Sequence, residues 1–150
     1  MPELLFADIV LRIGVATLIG SLIGLERQAH GISAGLRTHA LVCLGAAIFT
    51  IASIQITMID PKASAAVIAS GIVTGVGFLG AGAIFFDKKG PHGFTTAADI
   101  WVVAALGMMI GIGEIITAIL ACVFILLVLV VGKVFERKYL IRKKKRLGIF

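Results

Sequence analysis

Asp99 is the residue of this sequence whose position most suggests chemistry, because it lies inside a long apolar segment. An ionisable side chain within a hydrophobic span is energetically costly, and it usually faces the interior of a helix bundle or water. Thr95 lies one helical turn earlier on the same face, and Thr96 adds a second hydroxyl nearby. The sequence therefore leaves two interpretations of Asp99 open, a functional carboxylate and a structural ion pair.

A carboxylate at this depth needs a cation, since an unpaired buried charge is strongly unfavourable. Arg27 follows one apolar segment and Arg37 opens the next, so both are candidate partners within the chain. A bound metal ion or a proton is the alternative. We expect that Asp99 contacts an arginine inside the bundle.

Other titratable residues are expected near Asp99, at the same rim of the membrane. Histidine titrates near neutrality and binds metals, but no His-x-x-x-His or Cys-x-x-Cys spacing indicates a metal site. The identity of any metal is therefore left open, and a solvated rim is the favoured interpretation. Cys43 and Cys122 lie in apolar segments and are interpreted as small buried hydrophobic residues. The residues of this rim are Glu26, Arg27, His30, Arg37, His39, Asp87 and His92.

A second pair of charges, Asp8 and Arg12, is spaced four residues apart in the first apolar segment. This spacing lets the two side chains pair on one face of a helix. Partial insertion of the pair near the outer interface of the membrane is the favoured interpretation. Pairing toward a cavity is the alternative.

The elements that position these residues are predicted from composition and hydropathy. Of the 150 residues 59% are hydrophobic and 15% are charged, and the mean hydropathy of +1.10 excludes a water-soluble domain. Apolar segments of about 20 residues predict transmembrane helices. We expect an all-α integral membrane protein, a bundle of about five transmembrane helices over residues 1–132. The spans are about 4–25, 36–58, 63–86, 94–112 and 115–131, with one broken helix as the alternative for the last two.

The distribution of basic residues predicts the orientation of the chain. With five spans, the first and third loops share a side with the basic tail at 133–150, and Arg27, Arg37 and Lys88 lie there. The opposite side has Lys62 as its only basic residue. Because basic residues favour the cytoplasmic side, we expect an extracytoplasmic N-terminus and a cytoplasmic tail. The tail is expected to extend the fifth helix and to lie along anionic lipid.

Glycines recur at helical spacing in the first and third spans, where small residues let helix backbones approach closely. In the third span they lie on both faces, which predicts a helix packed on two sides at the centre of the bundle. A backbone opened toward an ion or a ligand is the alternative. The predicted packing glycines are Gly20, Gly24, Gly71, Gly75, Gly77, Gly80 and Gly82.

Four segments resemble motifs of the MgtC/SapB family of bacterial membrane proteins. They are LIGLERQ at 22–28, GLRTHALV at 35–42, TGVGFLGAG at 74–82, and GFTTAA at 93–98 followed by Trp101. They occur in the order and at the spacing of the family, and the resemblance covers about residues 14–132. It implies a protein of the bacterial cytoplasmic (inner) membrane with about five spans and a cytoplasmic C-terminus. Longer members carry a soluble C-terminal domain, so nothing that depends on that domain is transferred.

The resemblance also bears on the polar residues. The second motif centres on Arg37, so Arg37 is preferred over Arg27 as the partner of Asp99. Asp99 departs from the family pattern, in which a small or hydroxyl residue is common. The candidate polar functional cluster consists of Glu26, Arg27, Arg37, Thr38, Thr95, Thr96 and Asp99.

The functions that the resemblance implies are adaptation to low magnesium or acid stress and, in pathogens, survival inside host cells. We expect a non-enzymatic regulator that binds another membrane protein, such as the ATP synthase, and forms a homo-oligomer, with a dimer favoured. A small oligomeric magnesium or proton carrier built around Asp99, Glu26 and the glycine-rich span is the alternative; its few acidic oxygens make a dehydrated magnesium site less favourable. No cofactor motif or nucleophile–base pair indicates an enzyme. A nucleic-acid partner is not expected, since the basic tail follows a transmembrane helix.

Overall fold

Among the residues that the structure describes, five helices are long and apolar enough to cross a membrane, so the chain is an all-α, multi-pass membrane protein, as the sequence predicts. The computed structural model describes residues 5–60, 62–88 and 90–147, without the side chains of 137 and 139–147. In chain order the elements are α1 (Phe6–Ala29), α2 (Leu36–Ile59), α3 (Ala65–Gly82), β1 (Phe85–Asp87), β2 (Gly90–His92), α4 (Phe94–Ile112) and α5 (Ile115–Leu147).

The centre of the bundle is formed by α4, which packs against α1, α2 and α3. In the most apolar 18-residue segment of α4, 50% of the residues are buried, whereas in the corresponding segment of α3 only 17% are buried. The main core joins Ile23 of α1, Cys43 of α2 and Val103 of α4, which are fully buried. The prediction that the third span lies at the centre is therefore wrong, because most of the surface of α3 faces outward.

The glycines of α1 mark a close approach between α1 and α2. A Cβ atom added to Gly20 would lie 2.6 Å from the carbonyl oxygen of His39, and one added to Gly24 would lie 2.6 Å from the Cα atom of Leu36. Any larger residue at these two positions would push the helices apart. Gly20 and Gly24 are therefore packing glycines, as predicted.

The glycines of α3 behave differently. A Cβ atom added to Gly80 would lie 3.3 Å from the carbonyl oxygen of Ala97, so this glycine does contact α4. The other four predicted glycines of α3 do not pack against another helix of the same chain, because a Cβ atom added to any of them would meet no described atom within 4 Å. For contacts within one chain, the prediction is wrong for these four. These four are Gly71, Gly75, Gly77 and Gly82.

Two glycines of α4 that the sequence analysis did not single out are closely packed. A Cβ atom added to Gly111 would lie 2.6 Å from the Cβ atom of Thr50, and Gly107 lies against the backbone of Cys43. Small residues on α4 thus allow α2 to lie against it at close range. Both glycines lie in the C-terminal half of α4, and the N-terminal parts of α4 and α2 meet through Asp99 and His39.

A short β-hairpin replaces the end of the third predicted span. The helix ends at Gly82 and not near residue 86, because Phe86 pairs with Pro91 in an antiparallel ladder. The rings of Phe85 and His92 stack at 5.5 Å. Three-residue strands are too short for an alternating pattern to be recognised in the sequence, so the hairpin was not predicted.

The fifth helix continues well beyond the apolar segment. Its membrane-crossing part is Ile115–Glu136, and the helix itself ends at Leu147. The expectation that the tail extends the fifth helix is confirmed for the backbone. The side chains of the tail from residue 139 onward lie outside the described residues, so contact with anionic lipid stays a prediction.

Candidate functional site

The most buried charges of the bundle are Arg27 of α1, His39 of α2 and Asp99 of α4, which we call the Asp99 cluster. Arg27 Nε lies 3.0 Å from Asp99 Oδ2, at ion-pair distance although its N–H is not aligned for a hydrogen bond. His39 Nε2 lies 3.0 Å from the same oxygen. The three side chains are at most 7% exposed. One carboxylate oxygen therefore joins three helices inside the bundle.

The positions of Arg27 and His39 on their helices direct both side chains toward Asp99. Arg27 lies in the last turn of α1, on the face that carries Gly20 and Gly24 three or more residues earlier. His39 lies in the first turn of α2 and begins the stripe that buries Cys43 one turn later. The first loop connects these two helix ends, so the close approach of α1 and α2 also holds both basic groups beside α4.

A second layer of polar contacts lies between the cluster and the surface. Arg27 Nη1 lies 3.5 Å from Glu26 Oε2, and His30 Nδ1 lies 2.8 Å from Glu26 Oε1. His39 is held in the cluster from its other side, since its Nδ1 atom lies 3.0 Å from the carbonyl oxygen of Gly35. Arg27 is therefore shared between two carboxylates, one buried and one close to the surface.

The second oxygen of Asp99, Oδ1, is buried and makes no hydrogen bond with the residues that the structure describes. Asp99 and Thr95 line a pocket of about 290 Å³ between α4 and α5, whose other walls are apolar and include the exposed Phe124 and Val128. Thr96 is buried, whereas Thr95 is exposed. Because a carboxylate oxygen accepts hydrogen bonds, Asp99 Oδ1 can accept a further hydrogen bond from a donor.

The expectation that Asp99 contacts an arginine is confirmed, but the preference for Arg37 is wrong. Arg37 is exposed and makes no ion pair with any residue that the structure describes. Its position two residues before His39 places it roughly 200° away around α2, so it faces outward while His39 faces Asp99. The neighbouring Thr38 is exposed as well.

The interpretation of the rim as solvated is wrong for its two most buried members, Arg27 and His39. It holds for His30 and His92, whose side chains are 37% and 40% exposed. His39 was grouped with the rim and not recognised as a partner of Asp99. The signal that could have found it is its spacing of four residues from Cys43, on the apolar face of α2. Among the described residues, no group of three or more His, Cys, Asp or Glu side chains is arranged to hold a metal ion.

A second polar network lies at the opposite end of the bundle, and we call it the Arg12 clamp. Arg12 Nη2 lies 2.6 Å from Asp8 Oδ2, as the spacing in the sequence suggested. Its Nη1 atom donates a hydrogen bond of 2.7 Å to the carbonyl oxygen of Gly111. Gly113 follows with φ of 100°, which is the left-handed conformation that ends α4 in a Schellman motif. Arg12 therefore binds a carbonyl that the end of the helix leaves free.

Comparison with known proteins places the chain in a family. The sequence profile of the MgtC family matches residues 13–138. The chain belongs to the MgtC family. The matched range contains the whole Asp99 cluster, whereas Asp8 and Arg12 lie before it.

Several relatives of this MgtC-family chain are similar over most of its length. It is 43% identical over 132 residues to YhiD of Escherichia coli strain K12, which is named as a candidate magnesium transporter. The aligned region covers 82% of this chain and 60% of YhiD. It is 41% identical over 124 residues to Protein MgtC of Salmonella typhimurium strain LT2, covering 83% and 52%. With Protein MgtC of Brucella abortus strain 2308 the identity is 45% over 113 residues, covering 75% and 46%. The chain thus spans about half the length of these relatives. No solved structure matches it.

The name of YhiD refers to magnesium transport, and the name Protein MgtC states no activity. They name no residue, so the roles predicted for the polar cluster stay predictions. What the structure adds is which of those residues are in contact.

Proposed function

We propose that this member of the MgtC family is a non-enzymatic regulator that acts by binding another membrane protein. The observation that carries the proposal is a wide apolar groove of about 640 Å³ between α2 and α3. The groove lies within the membrane-crossing parts of both helices. An apolar groove between helices is a common docking site for a further helix.

The floor of the groove is built for close approach. Gly45 of α2 and Gly71 and Gly75 of α3 line it, and a Cβ atom added to any of them would meet no described atom within 4 Å. In lipid, helices associate through packing of small residues, because burial of apolar surface offers no net drive. Glycines that are unpacked within one chain are therefore available to a helix of a partner.

The partner class comes from the family resemblance. We propose the ATP synthase as the membrane protein that is bound, a homodimer as the state of this chain, and adaptation to low magnesium or acid stress as the setting. The Asp99 cluster supports this function indirectly. By joining α1, α2 and α4, it gives the docking surface on α2 a fixed position.

A glycine substitution tests the proposal. Gly75→Leu places a bulky side chain in the groove, and its Cβ atom would meet no described atom within 4 Å, so we expect folding to be unaffected while partner binding is lost. Gly14→Leu is the matched control, because Gly14 also has no described atom within 4 Å but lies on α1, outside the groove. The measurement is ATP-driven proton pumping in inverted membrane vesicles that contain the host ATP synthase and each variant.

We expect the unsubstituted chain and Gly14→Leu to reduce proton pumping, and Gly75→Leu to leave it at the level without the protein. Equal inhibition by both variants would show that the groove is not the docking site. No effect of the unsubstituted chain would remove the ATP synthase as the partner. Crosslinking of purified chains in nanodiscs would separately report whether the groove joins two copies.

The second candidate function is a small magnesium or proton carrier. It is favoured by the buried Asp99 Oδ1 atom without a partner and by the name of YhiD. Flux of Mg²⁺ and of protons into liposomes that contain only the purified protein distinguishes the two functions. Flux above that of empty liposomes, lost in Asp99→Asn, would support the carrier and contradict a purely regulatory role.

We further propose that the protein lies in the bacterial inner membrane, with the N-terminus outside and the tail in the cytoplasm. The basic loops described above support this orientation. An impermeant thiol reagent added to intact spheroplasts should label Lys62→Cys but not Lys88→Cys. Both native thiols, Cys43 and Cys122, are buried, and replacing them with alanine removes any background labelling. Labelling at position 88 would refute the orientation.

A further inference from the structure

The hydrogen bonds of His39 require one more proton than a neutral histidine supplies. Its Nδ1 atom faces the carbonyl oxygen of Gly35 at 3.0 Å, and its Nε2 atom faces Asp99 Oδ2 at 3.0 Å. A carbonyl and an ionised carboxylate can only accept hydrogen bonds, and a neutral imidazole has a single N–H. Both contacts are satisfied only if His39 carries two protons, or if Asp99 carries one and donates it to Nε2.

We propose that His39 and Asp99 form a buried proton-binding site, in which one proton is held between α2 and α4. Its ligand is a proton, bound by an imidazole nitrogen on one side and a carboxylate oxygen on the other. The site is almost completely shielded, since the two side chains are 0% and 1% exposed. In this environment two acceptors 3.0 Å apart, with no proton between them, would repel each other.

The surrounding charges fit a site that is occupied by a proton. From α1, Arg27 contacts Asp99, Glu26 contacts Arg27, and His30 contacts Glu26. Beside Asp99, α5 contributes only apolar side chains to the pocket that they share. With the proton bound, the charges of Arg27, His39, Asp99 and Glu26 sum to zero. Without it, Asp99 and Glu26 would share the single positive charge of Arg27, which is unfavourable for a carboxylate as shielded as Asp99.

The proton therefore acts as a link between helices. When it is present, the first turn of α2 is joined to α4 by a charge-assisted hydrogen bond. When it is absent, that contact is lost and Arg27 alone holds Asp99. This inference is independent of the proposed function, since a regulator and a carrier could both contain such a site.

Selective labelling makes the proton directly observable. The chain has three histidines, so ¹⁵N-histidine labelling of the protein in nanodiscs gives three pairs of imidazole signals, one pair for each ring. His30→Gln and His92→Gln assign two of them by their disappearance, and both positions are at the surface, where substitution is tolerated. The ¹⁵N shifts then report how many nitrogens of His39 carry a proton.

At pH 8 we expect the His39 signal to show both nitrogens protonated, or one protonated nitrogen together with a protonated Asp99. The second case is read from ¹³C-aspartate labelling, since only one of the four aspartates would then give a carboxylic acid signal. In Asp99→Asn, His39 should return to a single protonated nitrogen at the same pH. A neutral His39 beside an ionised Asp99 in the unsubstituted protein at pH 6 would overturn the proposal. This measurement does not depend on the folding of any variant of the cluster.

Discussion

The Asp99 cluster and the Arg12 clamp both place an arginine beside an aspartate in a membrane bundle, but they use the charges differently. In the cluster Arg27 and Asp99 come from different helices and are 7% and 1% exposed. In the clamp Arg12 and Asp8 come from the same helix, and the carboxylate is 36% exposed. Among the described residues, the clamp reaches another helix by one hydrogen bond, to the backbone carbonyl of Gly111.

This difference separates two ways of keeping a charge in a membrane protein. The Asp8 side chain is 36% exposed, and Arg12 stabilises the negative end of the α4 dipole. The Asp99 side chain is 1% exposed and depends on Arg27 and His39. Loss of one partner should therefore cost far more in the cluster than in the clamp.

The largest effect is expected for Arg27→Ala. Removal of the guanidinium leaves Asp99 and Glu26 without their shared cation, and breaking a buried pair typically costs about 3–5 kcal/mol. Denaturation with SDS in mixed micelles, followed by circular dichroism, measures the free energy of unfolding. Arg27→Lys, which retains the charge, should recover part of the loss; equal destabilisation by both variants would show that packing, not charge, is lost.

A smaller effect is expected for Arg12→Ala. It removes a charged hydrogen bond to Gly111 and a partly exposed ion pair, for a loss of about 1.5–3 kcal/mol in the same assay. Asp8→Ala removes only the ion pair and should cost less than about 1 kcal/mol. If Asp8→Ala were as destabilising as Arg12→Ala, the contact of Arg12 with the end of α4 would not be the important one.

The dependence of stability on pH should distinguish the two networks further. If the folded cluster holds a proton that the unfolded chain releases above about pH 6.5, the unfolding free energy falls as pH rises, by at most about 1.4 kcal/mol per pH unit. The fall should be seen between pH 7 and 8.5 in the unsubstituted protein and in Arg12→Ala. It should be reduced in Asp99→Asn, and an unchanged slope in that variant would assign the proton to another group.

The smallest effect on stability is expected for Arg37→Ala, within about 0.5 kcal/mol, because Arg37 is exposed. Lys88→Ala is the matched control, as Lys88 is also exposed and lies at the same rim. The prediction from the sequence is that Arg37→Ala impairs function or assembly more than Lys88→Ala. Inhibition of proton pumping in vesicles, compared at equal protein levels, measures this difference, and equal inhibition would remove Arg37 from the functional residues.

The sequence by itself determined the class of the protein and the number of its spans. Apolar segments of about 20 residues can be stable in only a few ways in lipid, because every backbone polar group needs a partner within the segment. It also determined that Asp99 needs a cation, since the cost of a buried charge does not depend on the details of packing. The pairing of Asp8 with Arg12 followed from local helical geometry.

The tertiary structure decided which partners those residues have. Arg27 and Arg37 were both near enough in sequence, and only the rotation of α1 and α2 about their axes turned Arg27 and His39 toward Asp99. The glycines show the same limit. Four of the five predicted in α3 look like packing residues in the sequence, but a Cβ atom added there would meet no described atom within 4 Å, while Gly107 and Gly111 lie close against α2. Helix rotation and neighbour choice depend on contacts between segments far apart in the chain, and a helical period within one segment does not specify them.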